Sequence, residues 1–254
     1  MFYIILFFIL IIFLYYYFRD TKKEKICFAI PSTTNNRKWK NITETYLYKS
    51  INNLNKLTDK YVIYIYISYD INDIIYSISK ERDKLINKYS NFNIKWFKND
   101  FEKGNVVAHW NFLYEKSVNN NIYYTYLIGD DIIYPNNSYW LDDLINGLKK
   151  NNNIGISGGD SGNPSLPITQ FLISKKHYDI YNYAFNPLIK NWYCDNYLLE
   201  LYPEKYINYF HQYKLYNTGG SPRYIINNIK DKYKSYVNID KIKLNNYLDL
   251  INSV

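Results

Sequence analysis

The run Tyr61 to Ser68 (YVIYIYIS) carries no charge and is apolar nearly throughout. A strand with one wet face alternates apolar and polar side chains, so a continuous apolar run calls for cover on both faces, as in a parallel sheet clad by helices. The neighbouring sequence agrees. Ile26 to Ile30 (ICFAI) is a second buried-type run, closed by Pro31 and the polar stretch Ser32 to Arg37. Between the two, Leu47, Ile51 and Leu54 recur on one helical face. A helix over about Ile74 to Tyr89 and a short strand over Ile94 to Phe97 follow, then a helix that brings Val106, Trp110, Leu113 and Tyr114 together. Next comes Tyr123 to Ile132 (YYTYLIGDDI), β-prone up to Gly129. This alternation predicts an α/β fold, its sheet largely parallel with right-handed crossovers.

The candidate chemical centre is Asp130-Asp131. In open α/β sheets ligands gather at the carboxyl ends of strands, and two adjacent carboxylates there need a partner, because unpaired buried charge is costly. Hard oxygen donors suit Mg²⁺ or Mn²⁺. The competing reading is that the pair caps a helix or faces water. Beyond Pro135, Ser138 can cap a helix whose inner face is Leu141, Leu144, Ile145 and Leu148; Asp142 and Asp143, in its first turn, read as structural. Further on, Ile154 to Asp160 is strand-like and then Gly-rich, and Thr169 to Ser174 is another strand candidate. Trp192, Tyr193 and Asp195 precede a helical run, and a basic helical tail closes the chain. His109 and His177 sit within helical patterns and read as scaffold.

At 254 residues the chain suits one domain with a real core. The net charge of +8 favours phosphate-bearing partners. That charge is dispersed, without an arginine run, so nucleic acid is not the expected partner. Only Cys27 and Cys194 are present, in different settings, which argues against a disulfide framework or a zinc site. Phe2 to Phe18 is uncharged and apolar, with Tyr15 to Tyr17 at a predicted interface and Arg19, Lys22 and Lys23 after it. It predicts an uncleaved transmembrane helix and a single-pass membrane protein. The basic flank favours a cytosolic catalytic part, while the sequons at Asn41 and Asn136 would matter only in a lumen; the side stays open.

The strand-borne GDD, the downstream NWYCDNYL and GGSPRY stretches and the anchor together resemble a small membrane-anchored GT-A glycosyltransferase, like those encoded by large DNA viruses. The resemblance covers about Ile26 to Tyr224. It implies a Rossmann-like mixed sheet, mostly parallel, with residues 1–19 as anchor, 20–25 as a basic linker and 26–254 as the catalytic domain. Within that domain it implies a nucleotide-binding half (26–135), an acceptor half (136–225) and a helical tail (226–254). Asp131 matches the metal-binding acid of the family's DxD motif, with Asp130 on ribose or metal and His211 as a third metal ligand. Pro31, Thr33 and Arg37 would line the nucleoside pocket. Asp70 would bind base or ribose, or else be a turn residue, and Lys103 and Arg223 would meet phosphate.

Asp195 would be the general base of an inverting transfer, or simply a helix cap, with Trp192 stacking on a sugar and Asp160 as runner-up base. The implied partners are a nucleotide-diphosphate-sugar donor, a glycan, protein or lipid acceptor, and Mn²⁺ or Mg²⁺. Two rivals remain. A nucleotidyltransferase would carry a Gly-rich basic loop after the first strand, but Pro31 to Lys38 has no glycine. A membrane-tethered binding module would keep the fold without turnover.

Overall fold

The computed structural model describes residues 23–54, 60–137, 139–220 and 225–253. A seven-stranded sheet runs in the order β3-β2-β1-β4-β7-β6-β8. Its strands are β1 (Glu24–Pro31), β2 (Tyr61–Asp70), β3 (Asn93–Asn99), β4 (Tyr124–Leu127), β6 (Ile156–Asp160), β7 (Phe171–Ser174) and β8 (Ile207–Lys214). The first four are parallel, β7 is antiparallel to both β4 and β6, and β8 runs parallel to β6. Two short strands, β5 (Ile132–Ile133) and β9 (Tyr216–Asn217), form a separate antiparallel pair.

Successive side chains of a strand face opposite ways, and β1 shows the result. Ile26, Phe28 and Ile30 enter one core with α1 (Tyr46–Leu54), α2 (Ser79–Lys88) and α4 (Trp140–Lys150). Cys27 and Ala29 enter the other, with α3 (Val106–Asn119), α5 (Lys175–Tyr181), α6 (Cys194–Leu201) and α7 (Tyr233–Asn252). Phe28 meets Tyr126 and Tyr134 edge-on at 5.8 and 6.1 Å. Such pairs add roughly 0.5–1.5 kcal/mol each beyond burial, and here they seat the segment that follows the GDD against the central strands.

Several expectations change. The second helix begins at Ser79 instead of Ile74, because the buried Asp73 takes the backbone N–H groups of Ile75 and Tyr76 at 3.1 and 2.8 Å and holds a tight turn ahead of it. The Gly158-Gly159 pair is a packing device: a β-carbon on Gly158 would lie 2.3 Å from Ile168 Cγ2, and one on Gly159 2.2 Å from the Tyr213 carbonyl oxygen. The register of β6 against β8 also shifts between Gly159 and Asp160, where a bulge with no side chain is easiest to accommodate.

The expected anchor over 1–19, the first half of the linker and the Ser138 cap lie outside the described residues. Among the described residues no helix is long and apolar enough to cross a membrane. The expectation of a single-pass membrane protein is corrected on that finding.

Candidate functional site

The parallel register puts Pro31 level with Ser68 and Asp70 level with Asn99, so the carboxyl ends of β1, β2 and β3 form one rim beside the end of β4. Polypeptide leaving those ends lines three adjoining cavities. The largest, about 620 Å³, has Asp130 and Asp131 in its wall together with Trp192, Tyr193 and Asp195. The next, about 80 Å³, is lined by Pro31, Thr33, Asp70 and Lys103 among others. An open one of about 530 Å³ continues past Asp70 and Lys103 to Asn99 and Phe101.

Asp130 and Asp131 are 1% and 6% exposed. Ser32 Oγ donates to Asp130 Oδ2 at 2.6 Å, which uses the polar loop after β1 to orient the first acid. Asp131 is seated from the far side of the fold. Because β5 pairs with β9, Thr218 arrives beside the GDD and donates both its N–H (3.0 Å) and its Oγ1 (2.8 Å) to the Asp131 carbonyl. Gln170 Oε1 accepts the N–H of Gly129 at 2.8 Å. Three separate segments therefore fix one turn.

These residues fit a divalent cation of the Mg²⁺ or Mn²⁺ kind. Among the described residues no group of three or more His, Cys, Asp or Glu could hold a metal ion, so the chain offers a pair of carboxylates. Such ions are commonly held by one or two carboxylates with substrate phosphates and water completing the shell. His211 does not join the pair: it is exposed on β8, its ring 6.4 Å from that of Tyr209.

Asp195 lies in the first turn of α6 and partly faces the large cavity. Desolvation by the surrounding walls pushes its carboxyl up to about 7, against a weaker opposing contact from Cys194 Sγ at 3.7 Å. Tyr193, just before it, has φ +71°, a left-handed conformation that is strained for a side chain of this size. Two contacts stabilise it: stacking on Tyr233 with centroids 5.2 Å apart, and the bridge to Asn191. Asn191 is a hub that the local pattern hides. Its Nδ2 donates to the carbonyls of Gly104 (2.9 Å) and Ile225 (3.1 Å), and its Oδ1 accepts from the N–H groups of Trp192 (2.7 Å) and Asn227 (2.9 Å).

The remaining predicted residues divide. Pro31, Thr33, Asp70 and Lys103 meet at the small cavity, and Trp192, 44% exposed, lines the large one. Arg37 goes elsewhere: it lies over Trp39 and Tyr46, and its Nη2 donates to the Gly219 carbonyl at 2.7 Å, tying the β1 loop to the strap after β9. Asp160 caps the Gly162 N–H at 2.9 Å, and the following loop supplies Ser161 and Asn163 to the large cavity. Arg223 lies outside the described residues. Asp73, unremarked in sequence, accepts from Thr34 N and Oγ1 (both 2.6 Å) and so shapes the loop that carries Thr33.

The fold these elements define is of the GT-A type. The chain is similar in structure to the mannosyltransferase PcManGT from Pyrobaculum calidifontis, solved in complex with GDP-Man and Mn²⁺: TM-score 0.55, 7% identity, 80% of this chain and 59% of that one. It thus spans less than two thirds of that enzyme's length. A 4-diphosphocytidyl-2C-methyl-D-erythritol synthase from Anaerococcus prevotii aligns with a TM-score of 0.47 and 12% identity over 88% of this chain and 96% of that one. No protein-family model matches the chain, and no curated protein matches it in sequence.

Proposed function

We propose that the chain is a metal-dependent glycosyltransferase that moves a sugar from a nucleoside-diphosphate sugar to a hydroxyl acceptor with inversion. One observation carries the reading: the two acids at the end of β4 and Asp195 line the same cavity. The fold likeness to a mannosyltransferase in complex with GDP-Man and Mn²⁺ supports it. Asp131 and Asp130 would hold the cation. When bound, the ion supplies charge neutralisation at the diphosphate leaving group.

The chain's own residues do the rest. Pro31, Thr33 and Asp70 bind the nucleoside end of the donor in the small cavity, with Lys103 at its mouth. Trp192 presents an exposed ring to the large cavity, where a sugar face can stack. Asp195 accepts the proton of the acceptor hydroxyl as its oxygen bonds to the anomeric carbon and the bond to the diphosphate breaks. A carboxylate raised to about 7 is a better base than an ordinary one and remains partly ionised at neutral pH. The sugar passes through an oxocarbenium-like transition state.

The test is release of nucleoside diphosphate from nucleotide sugars by purified protein with Mn²⁺, abolished in Asp131→Ala. Pyrophosphate release would point to nucleotidyl transfer instead. Metal-dependent donor binding without release would leave a binding module.

A further inference from the structure

Beneath the small cavity runs a line of polar contacts through His109, which the sequence marks only as scaffold. Asn99 Nδ2 donates to Ser68 Oγ at 2.7 Å. Ser68 Oγ lies 2.6 Å from His109 Nδ1, and His109 Nε2 lies 3.3 Å from Asp70 Oδ1. A neutral imidazole is compatible with these contacts. Asn99 donates through its amide nitrogen and Ser68 Oγ accepts there, which leaves the hydroxyl hydrogen available to His109 Nδ1. With its hydrogen on Nε2, the imidazole faces Asp70 Oδ1 across that 3.3 Å contact. Ser68 and His109 are both buried, and the Phe101 ring meets the imidazole edge-on at 5.0 Å, which restrains its rotation. Asp70, at the end of this line, borders both the 80 Å³ and the 530 Å³ cavities.

We propose that His109 is a positioning residue for nucleotide recognition: with Ser68 and Asn99 behind it, it holds Asp70 as a fixed acceptor for the O–H and N–H donors of a nucleoside. The inference rests on the nucleotide-donor reading above and adds the residues that set its recognition end. An ionised carboxylate only accepts hydrogen bonds. Fixing one of its oxygens orients the other before the ligand arrives, so less ordering is left for binding to accomplish. The effect belongs to the nucleoside and not to the diphosphate, whose contacts lie at the GDD.

That separation makes the inference testable on the full chain by calorimetric titration with UDP, GDP, ADP and CDP in Mn²⁺, and with pyrophosphate in Mn²⁺ as the probe lacking a nucleoside. His109→Gln keeps a donor near the Nε2 position, whereas His109→Asn stops near Nδ1 and cannot reach Asp70. For whichever nucleoside diphosphate the wild type binds, H109N should weaken affinity about tenfold or more, the scale of a hydrogen bond to a charged group. H109Q should regain most of it, and pyrophosphate affinity should stay the same in both. In an Asp70→Asn background, H109N should add less than about twofold, because the two residues act through one contact.

Equal nucleotide affinity in H109N and wild type overturns the inference. So does a parallel loss for pyrophosphate, which would mean general damage to the fold. A wild-type chain that binds pyrophosphate with Mn²⁺ but gains nothing from any nucleoside overturns this inference and leaves the metal site standing. A chain that binds neither overturns the donor reading as well.

Discussion

Gly219 packs directly against the carboxylate of Asp131: a β-carbon built on the glycine would sit 1.7 Å from Oδ2. No side chain fits there unless the acid or the strap moves. Gly219→Ala should therefore displace the acid and lower metal-dependent turnover by about 10²-fold, the scale of an ångström-level misplacement. The melting temperature without metal should fall as well, since Gly219 is buried and its strap is held by Thr218 and Arg37. Turnover at saturating Mn²⁺, measured with the unfolding curve, checks both parts; wild-type activity in the variant would mean that the acid's position is unimportant.

Asp131→Asn keeps the shape and removes the charge. A ligand that binds only the folded state stabilises it by about 2.7 kcal/mol at a hundred times its Kd. Mn²⁺ with a nucleoside diphosphate should raise the melting temperature of the wild type and leave that of D131N unmoved. An equal shift in both would place the cation elsewhere.

Asp195 gives two pH signatures of opposite sign. Only its ionised form can take a proton, so kcat/KM should rise through about pH 7. Its carboxyl is raised above the unfolded value of about 3.9, so between about pH 4 and 7 the unfolded chain has lost a proton that the folded chain retains. Stability therefore falls as pH rises across that window. Asp195→Asn should abolish the kinetic rise and be the more stable protein at pH 8, by about 2–4 kcal/mol before allowance for the carboxyl's partial exposure. Denaturant melts at pH 5 and pH 8 check this: the variant's advantage should be larger at pH 8, and an equal difference at both would overturn it.

Asp240 anchors α7 from inside the core. Burial alone would raise its carboxyl, but contacts from Lys243 (2.8 Å), Tyr183 (2.6 Å), Asn186 (2.8 Å) and Tyr197 (2.8 Å) outweigh that and hold it below the usual range. The sign is the ordinary one for an acid: this contribution is present above the unfolded value and is lost as pH falls through the folded one. Asp240→Ala leaves Asn186 and Tyr197 unmatched in the interior and should cost about 3–5 kcal/mol. Chemical denaturation at pH 7 measures it, and a loss under 1 kcal/mol, the scale of an exposed pair, would show the cluster to be solvent-relaxed.

The parallel half was legible because its strands are apolar on both faces and its helices on one, a pattern carried within each segment. The strand β8 was not: Ile207 to Lys214 (INYFHQYK) is an edge strand whose residues are mostly half-buried or exposed, so no clean alternation marks it. The GDD stood out for the same local reason, as charge ending an apolar run. Asp73, Gln170, Asn191 and His109 did not, since each acts through partners far along the chain or through backbone groups that leave no periodic trace. The cue for Asp73 was faint: a second acid in the Asp70-Ile71-Asn72-Asp73 turn, placed to accept from the residues behind it.

Asn191 joins the carbonyl of Gly104, in the lining of the small cavity, to the tail segment at Ile225 and Asn227, and it abuts the residue that bears the exposed indole. One amide is thus a mechanical junction between the lining of the small cavity and the wall of the large one. Between the loop before α3 and the backbone of Trp192 there is thus one side chain and no hinge.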